Sequence, residues 1–574
     1  MGVGALSIEP GLIMIWQNLK PRNRLPKVKT LVCAVISGWG KAGNSRRRWA
    51  FLGILLGSGA LGIGCTHPSK YWSQKMKVGP DYFRPEAKTS SDWIDSKNSR
   101  VKAEISPDLR WWEQFNDPTL NELVESAYRE NYQLKDAGFK VLAARANYNI
   151  KVGQFMPQSQ SQLTGYDRVA ISPNLVFGSL LPQKAFSVWS TGFNLSWEMD
   201  VWGKFRRNIE SSEASYQASV EEYDGILVSL VSDMAGYYVD YRVAEAQVVS
   251  LLKFVELMKG SLEVTEDRFK GGATTQVDVE QAKLNLAQTQ AQVPLYEQRA
   301  RKAANAICLL LGIAPEELSE RLGKKPIPAA PLEAQPGIPA DLIRRRPDVR
   351  QAERNLAAQC AQIGVAESEL YPSFVINGYL GLWSSDINSV FTPNSLMGRL
   401  GPSVDWKILN YGRLLNNIRV QDAKFQALGA AYQQTVLNAG REAENGLIEY
   451  IKADEAAKLQ AKAVEAAMKS VELAKIQYLE GTVDFNRVYL LERQAIKEQI
   501  LLNDNLGQVS QGIIHTYRAL GGGWEMRLEE PALGEMENRP SPRTEGAYPN
   551  DYDQKPRPAG FGYWRELFQR HKAP

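Results

Sequence analysis

Cysteine, histidine and carboxylate side chains carry most covalent, metal and acid-base chemistry, and in this chain they are spaced so that little of it can be assembled. The four cysteines, Cys33, Cys65, Cys308 and Cys360, stand far apart with no C-x-x-C pair, so no zinc site, dithiol redox motif or disulfide framework is expected. The three histidines, His67, His515 and His571, fall in a leader-proximal stretch, a helical stretch and a tail. That spacing predicts neither a His-based triad nor a metal cluster, and hence no enzyme and no cofactor. Gly57-Ser58-Gly59-Ala60-Leu61-Gly62 matches G-x-G-x-x-G, but it lies in an apolar run with no βαβ frame and no distal acid, so it reads as a coincidence of small residues. Acidic and basic side chains alternate along the 574 residues and leave a formal charge of only +4, which argues against nucleic acid as a partner. With 44% hydrophobic and 23% charged residues, the chain has ample material for a folded core.

One cysteine has a context of its own. Arg46-Arg47-Arg48 precedes an apolar run from Trp49 to Ile63, long enough for a secretory signal but shorter than the roughly 20 residues of a membrane-spanning helix. The run ends Leu61-Gly62-Ile63-Gly64-Cys65, which resembles the lipobox of bacterial lipoproteins, although Gly62 stands where that motif prefers Leu. The resemblance implies a signal over residues 1–64 and an acylated Cys65. Acyl chains of this kind hold a protein durably to a bilayer. Thr66, in place of Asp, implies the outer membrane by the same resemblance. The 45 residues ahead of the Arg cluster are longer than an ordinary signal requires, which suggests a later true start.

The elements behind the leader come in duplicate. Leu195-Ser196-Trp197-Glu198-Met199-Asp200-Val201-Trp202-Gly203-Lys204 reads against Val404-Asp405-Trp406-Lys407-Ile408-Leu409-Asn410-Tyr411-Gly412-Arg413 at an offset of 209. The same offset carries Asn208-Ile209 to Asn417-Ile418, Gln217-Ala218 to Gln426-Ala427, and Gly272 to Gly481. Two copies of one structural unit are therefore expected.

Each copy holds a long stretch without proline, Lys204 to Lys270 and Ser403 to Glu530, so very long helices are allowed. At 1.5 Å per residue the first would reach about 100 Å. Apolar residues at Leu227, Val231, Met234, Tyr238, Tyr241, Ala244, Val248, Leu251, Val255, Met258, Leu262 and Phe269 recur at the three-four spacing of a coiled coil. Gly271-Gly272 and Gly481 break the pattern and predict tight turns, followed by returning helices from Val277 to Leu311, interrupted at Pro294, and from Val483 to Leu520. Ahead of each hairpin, short aromatic and glycine-bearing segments predict four strands: Ser161–Ala170, Val188–Trp197, Ser373–Ser384 and Leu400–Trp406. Four strands cannot close a barrel, and an open sheet edge in lipid leaves its backbone groups unpaired, so closure must come from further copies of the chain. A coiled-coil tether without a pore would need no such strands.

These residues resemble the TolC-like outer membrane efflux proteins, in particular their NodT-type lipoprotein branch. The resemblance rests on Val78-Gly79-Pro80-Asp81-Tyr82-Phe83-Arg84-Pro85, on Trp111-Trp112-Glu113-Gln114-Phe115-Asn116-Asp117-Pro118-Thr119-Leu120, on Arg345-Arg346-Pro347-Asp348, and on Ala519-Leu520-Gly521-Gly522-Gly523-Trp524. It implies a mainly α fold with membrane β structure: a homotrimer whose twelve-stranded outer-membrane barrel, four strands per subunit, continues into a periplasmic α-helical barrel. The implied division is a leader over 1–64, an anchored segment over 65–118, efflux repeats over 119–330 and 331–524, and a disordered tail over 525–574. The implied function is passive exit of small molecules, driven by an inner-membrane RND-type pump through a periplasmic adaptor (membrane fusion) protein. Conduits for exported proteins or for metal ions share the same overall pattern.

The resemblance also places functional residues. The hairpin turns, Gly271, Gly272, Ala273 and Thr274 in the first repeat and Gly481, Thr482 and Val483 in the second, are where the adaptor would touch. Relatives narrow the channel with an acid in L-D-A after the second turn, and this chain lacks it. Asp484, Arg487 and Glu492 are the candidates for that periplasmic aperture, Asp484 and Arg487 as an (i, i+3) pair and Glu492 as the substitute acid.

Overall fold

The computed structural model describes residues 68–87, 89–98, 100, 101, 110–172, 185–331, 339 and 345–529; the expected leader with Cys65, and residues 530–574, lie outside them. The chain divides into two units, Met1–Lys70 and Tyr71–Pro574, and the long helices and the strands all belong to the second.

Helix α1 (Pro118–Glu130) begins where the Asp117 carboxylate accepts from Thr119 N at 3.0 Å, and it buries Leu120, Leu123, Val124 and Ala127 on one face. Asn131 caps the next helix, α2 (Tyr132–Gly153), by accepting from Leu134 N. Strands β1 (Ser159–Ala170) and β2 (Ala185–Met199) follow, then α3 (Lys204–Lys270) and α4 (Gln276–Leu310). The second set is α5 (Pro347–Ser368), β3 (Ser373–Ser384), β4 (Leu396–Asp405), α6 (Arg413–Leu479) and α7 (Phe485–Ala519). Repeat-related helices match in length: α2 and α5 have 22 residues each, α3 and α6 have 67, α4 and α7 have 35.

The reason for the repeated Trp-to-Gly motif is local. Trp197 Nε1 donates to Phe155 O at 3.3 Å and Trp406 Nε1 donates to Leu370 O at 3.0 Å, so each indole ties the foot of its strand to the chain leaving the preceding helix. Gly203 and Gly412 then take φ of 84° and 80°, a left-handed turn that lets the strand swing into the long helix. The four strands pair antiparallel in the order β1-β2-β3-β4, with three of them starting two to four residues earlier than the sequence suggests.

The expected apolar stripe of α3 is largely the buried one, from Leu227 through Met258, while Phe269 at its end is exposed. Helix α4 differs from expectation, because it runs unbroken through Pro294. Pro294 and Gln290, whose carbonyl loses its N–H partner, are both exposed, so that carbonyl is not stranded in a dry core.

Three sequence motifs converge at the C-terminal end of α7. Trp111 stacks on Tyr517 with centroids 5.5 Å apart, and a Cβ at Gly522 would sit 3.1 Å from Trp111 Cδ1. Arg346 donates to Ala519 O at 2.8 Å and pairs with Asp348 and Glu442 at 2.7 and 2.8 Å. The docked chain extends past Trp524, where the sequence suggests a tail: Met526 is buried and Arg527 holds Asp224 at 2.6 Å. Among the described residues no helix is long and apolar enough to cross a membrane.

Candidate functional site

The sheet and the hairpin tips are the two regions the sequence marks for function. Residues directly opposite one another in an antiparallel sheet share a face, so the pairing register sorts the side chains. One face carries Leu195, Phe193 and Trp197 of β2, Phe374, Ile376, Leu380 and Leu382 of β3, and Leu396, Leu400 and Val404 of β4. Phe193, Leu380, Leu396, Leu400 and Val404 on it are exposed in the subunit. The polar exceptions on this face are Gln160, Gln162, Thr164 and Arg168 of the edge strand β1, Ser187 and Thr191 of β2, and Ser384 of β3. The opposite face carries Asn194, Ser196 and Glu198, then Asn377 and Tyr379, then Arg399 and Ser403, with Leu163, Val188, Val375, Trp383 and Met397 interspersed.

Aromatic rings bracket the apolar face. Trp189 and Tyr166 meet at 4.4 Å at one end, and Trp197 lies eight residues away on the same strand, a span of about 26 Å. That matches the height of the outward apolar band of membrane β-barrels, which aromatic girdles flank. The four strands of one subunit leave β1 and β4 as open edges.

At the other end of α3 and α6, the two turns share one geometry. Ala273 N donates to Arg268 O at 2.8 Å and Thr482 N to Gln477 O at 3.0 Å, while Gly272 and Gly481 take φ of 67° and 78°. Thr275 and Asp278 form a capping box that starts α4. Gly271, Gly272, Ala273, Gly481 and Thr482 are exposed, and Thr274 and Val483 are half-buried. The tips are tied together by a residue the sequence did not flag. Arg268 Nη1 donates to Leu479 O at 2.7 Å, and its guanidinium lies 4.7 Å over the Tyr478 ring.

The three aperture candidates separate in the structure. Asp484 does not bond the Arg487 side chain as expected; its carboxylate accepts from Arg487 N at 3.2 Å and caps α7, sharing that N–H with the Asp484 carbonyl at 3.3 Å. Arg487 itself is exposed. Glu492 is not an exposed acid: it is 1% exposed and faces the interior of the hairpin pair. There it accepts from Ser261 Oγ at 2.6 Å and from Asn285 Nδ2 at 2.9 Å, with Lys475 Nζ at 3.3 Å. One carboxylate thus joins all four long helices. The signal for its burial was in the sequence, since Phe485, Val488, Glu492 and Ala495 follow the three-four spacing of an inward stripe. Cys308 and Cys360 are buried and unpaired, and among the described residues no cluster of His, Cys, Asp or Glu is placed to hold a metal ion.

The family model described as outer membrane efflux protein matches residues 123–313 and 338–522, the two repeats. The chain belongs to the outer membrane efflux protein family. This efflux protein is 31% identical over 414 residues to nodulation protein T of Rhizobium leguminosarum bv. trifolii, covering 70% of this chain and 85% of that one. It is 29% identical over 460 residues to the solvent efflux pump outer membrane protein SrpC of Pseudomonas putida, covering 78% and 95%. Its fold superposes on the outer-membrane channel OprN with a TM-score of 0.74 at 31% identity, over 78% of this chain and 99% of that one. Members of the family are trimeric channels that work with periplasmic adaptors and inner-membrane pumps. This efflux protein is accordingly an outer-membrane channel subunit of such a system.

Proposed function

We propose that three copies of this chain form a passive exit duct for small apolar or amphipathic molecules, with no catalysis of its own. The observation that carries this reading is the sheet: one apolar, aromatic-bracketed face for lipid, one face of Asn, Ser, Glu and Arg for a water-filled lumen, and two open edges. Three sheets joined edge to edge would make a closed barrel of twelve strands and leave no backbone group unpaired in lipid. The relatives in Pseudomonas putida are named for solvent and toluene efflux, which supports small apolar cargo.

In this reading Cys65 carries the lipid anchor, and Gly271 to Thr274 and Gly481 to Val483 present the adaptor-contacting ends. Asp484 and Arg487, both exposed, lie beside the periplasmic mouth in this reading, so each subunit offers it one acid and one base. Purified protein reconstituted in planar lipid bilayers would conduct ions in discrete steps, and deletion of its gene would make the cell hypersensitive to small apolar toxins. A protein that inserts yet never conducts would overturn the reading.

A further inference from the structure

Helix α7 stops at Ala519 and α5 starts at Pro347, and beside these two ends the flanking helices α3 and α6 enclose a cavity of about 480 Å³. That volume suits a small organic molecule. Small residues make the room: Gly225 and Ser229 on α3, Gly446 on α6, and Gly521 after α7. A Cβ at Gly446 would sit 2.8 Å from Thr516 N, so no larger residue fits where α6 and α7 touch. The set is not a by-product of the duplication, because the positions 209 before Gly446, His515 and Arg518 hold Tyr237, Ala306 and Leu309.

Every basic side chain that lines the cavity is already held by a carboxylate. Arg346 pairs with Asp348 and Glu442, Arg518 Nη1 donates to Asp233 at 2.8 Å, and His515 Nδ1 lies 2.9 Å from Glu449 Oε2. Among the described residues, Glu449 Oε1 and the Asn445 amide have no partner. Asn445 is exposed, and Glu449 keeps 41% of its side-chain surface. Val228, Pro347 and Ala519 supply apolar surface beside them. A negatively charged acceptor left open next to an apolar wall fits a molecule with an N–H-bearing cation and an apolar body.

The cavity lies on the side of α3 away from its apolar stripe: Ser229 is two residues from Leu227 and from Val231, about 200° around the helix. That stripe packs with Trp111, Leu120 and Leu123, and three copies of such a layer turned inward would obstruct the bore of a duct. We propose that the cavity faces the bore and is a subsite for amphipathic organic cations, the ammonium group held by Glu449 and Asn445 and the apolar part by Val228 and Ala519. The proposal rests on the reading of three chains as a duct and names a class of cargo for it. His515 is the internal competitor, because its bond to Glu449 draws on the same negative charge.

The test is calorimetric titration of the full-length trimer in nonionic detergent with phenethylammonium, and with hydrocinnamate as an anion of the same ring and chain. Saturable binding of the cation, once per subunit, is expected, and none of the anion. Glu449→Gln should weaken the cation about tenfold, the worth of one hydrogen bond to a charged group, while His515→Ala should strengthen it several-fold. Glu465→Gln, at an exposed carboxylate farther along α6, should leave it unchanged. Equal binding of both probes, or an affinity that Glu449→Gln does not move, overturns the site; an affinity that His515→Ala does not move overturns the competition. Absence of cation binding by protein that conducts in bilayers overturns the site and leaves the duct standing, whereas trimers that never conduct overturn the duct reading itself.

Discussion

Lys475 Nζ on α6 lies 3.3 Å from Glu492 Oε1 on α7, and the carboxylate it meets is 1% exposed. The same group takes hydrogen bonds from Ser261 on α3 and Asn285 on α4, so the two hairpins are joined by a buried charge near their tips. A charge in that position is tolerated only because three donors replace its water.

Glu492→Ala removes the acceptor and leaves Lys475, Ser261 and Asn285 facing one another. Because Lys475 keeps 29% exposure and can turn to solvent, the expected loss is about 2 kcal/mol, below the roughly 3–5 kcal/mol of a fully buried pair. Glu492→Gln keeps one acceptor oxygen and is expected to lose about 1 kcal/mol. The temperature at which trimers dissociate on gels would fall in that order, and identical temperatures for all three proteins would show that the junction does not stabilise the hairpins.

The two faces of the sheet predict opposite outcomes. Leu380→Arg puts a cation on the lipid side near mid-membrane, at an expected cost of about 2–4 kcal/mol, and should reduce barrel assembly. Asn194→Asp, on the polar side, should leave assembly unchanged and shift the reversal potential toward cations in bilayer recordings. Blocked assembly by Asn194→Asp alone would mean that the faces are assigned the wrong way round.

Ala273 is exposed at the first tip and donates only its backbone N–H to the turn. Ala273→Glu should change stability by less than about 0.5 kcal/mol while raising susceptibility to exported toxins several-fold, because a charge is inserted where the adaptor would sit. Normal trimers with normal resistance would remove this tip from the contact.

Arg207 is 2% exposed and holds the segment around Val78, donating to Val78 O at 3.0 Å, to Gly79 O at 3.2 Å and to Asp81 at 2.9 Å. Burial pushes the Asp81 carboxyl up, but the hydrogen bond and charge of Arg207, with Gln74 and Lys77, pull it further down, so its pKa is lowered overall. A lowered carboxyl contributes stability above its unfolded value, near pH 4, and the contribution is lost as pH falls through the folded value. Limited proteolysis at residues 71–101 should accelerate below about pH 4, and Arg207→Ala should make that region protease-sensitive at neutral pH, at a cost of about 3 kcal/mol. A cleavage rate independent of both changes would contradict the clamp.

Much of the architecture was legible because the signals are local. The three-four spacing from Leu227 to Met258 names the buried face of α3, the absence of proline permits its length, and Gly272 and Gly481 mark turns because their φ values suit no other residue well. The interruption expected at Pro294 is absent, and α4 continues through it at a position where Pro294 and Gln290 are both exposed. Asp484 was expected to reach a side chain and instead reached a backbone N–H, since a helix start always has one to offer.

By itself, the sequence determined the duplication, the four strands and two hairpins, and the need for further copies to close the sheet, since each follows from periodicity or from residues a few positions apart. Only the tertiary structure decided that Glu492 is a junction and not a lumen acid, that Arg268 ties one tip to the other, and that Arg207 clamps the Val78-Gly79 segment. Those contacts join residues more than a hundred positions apart. A helical stripe shows that a side chain points inward; which donors wait there depends on how the other helices are laid against it.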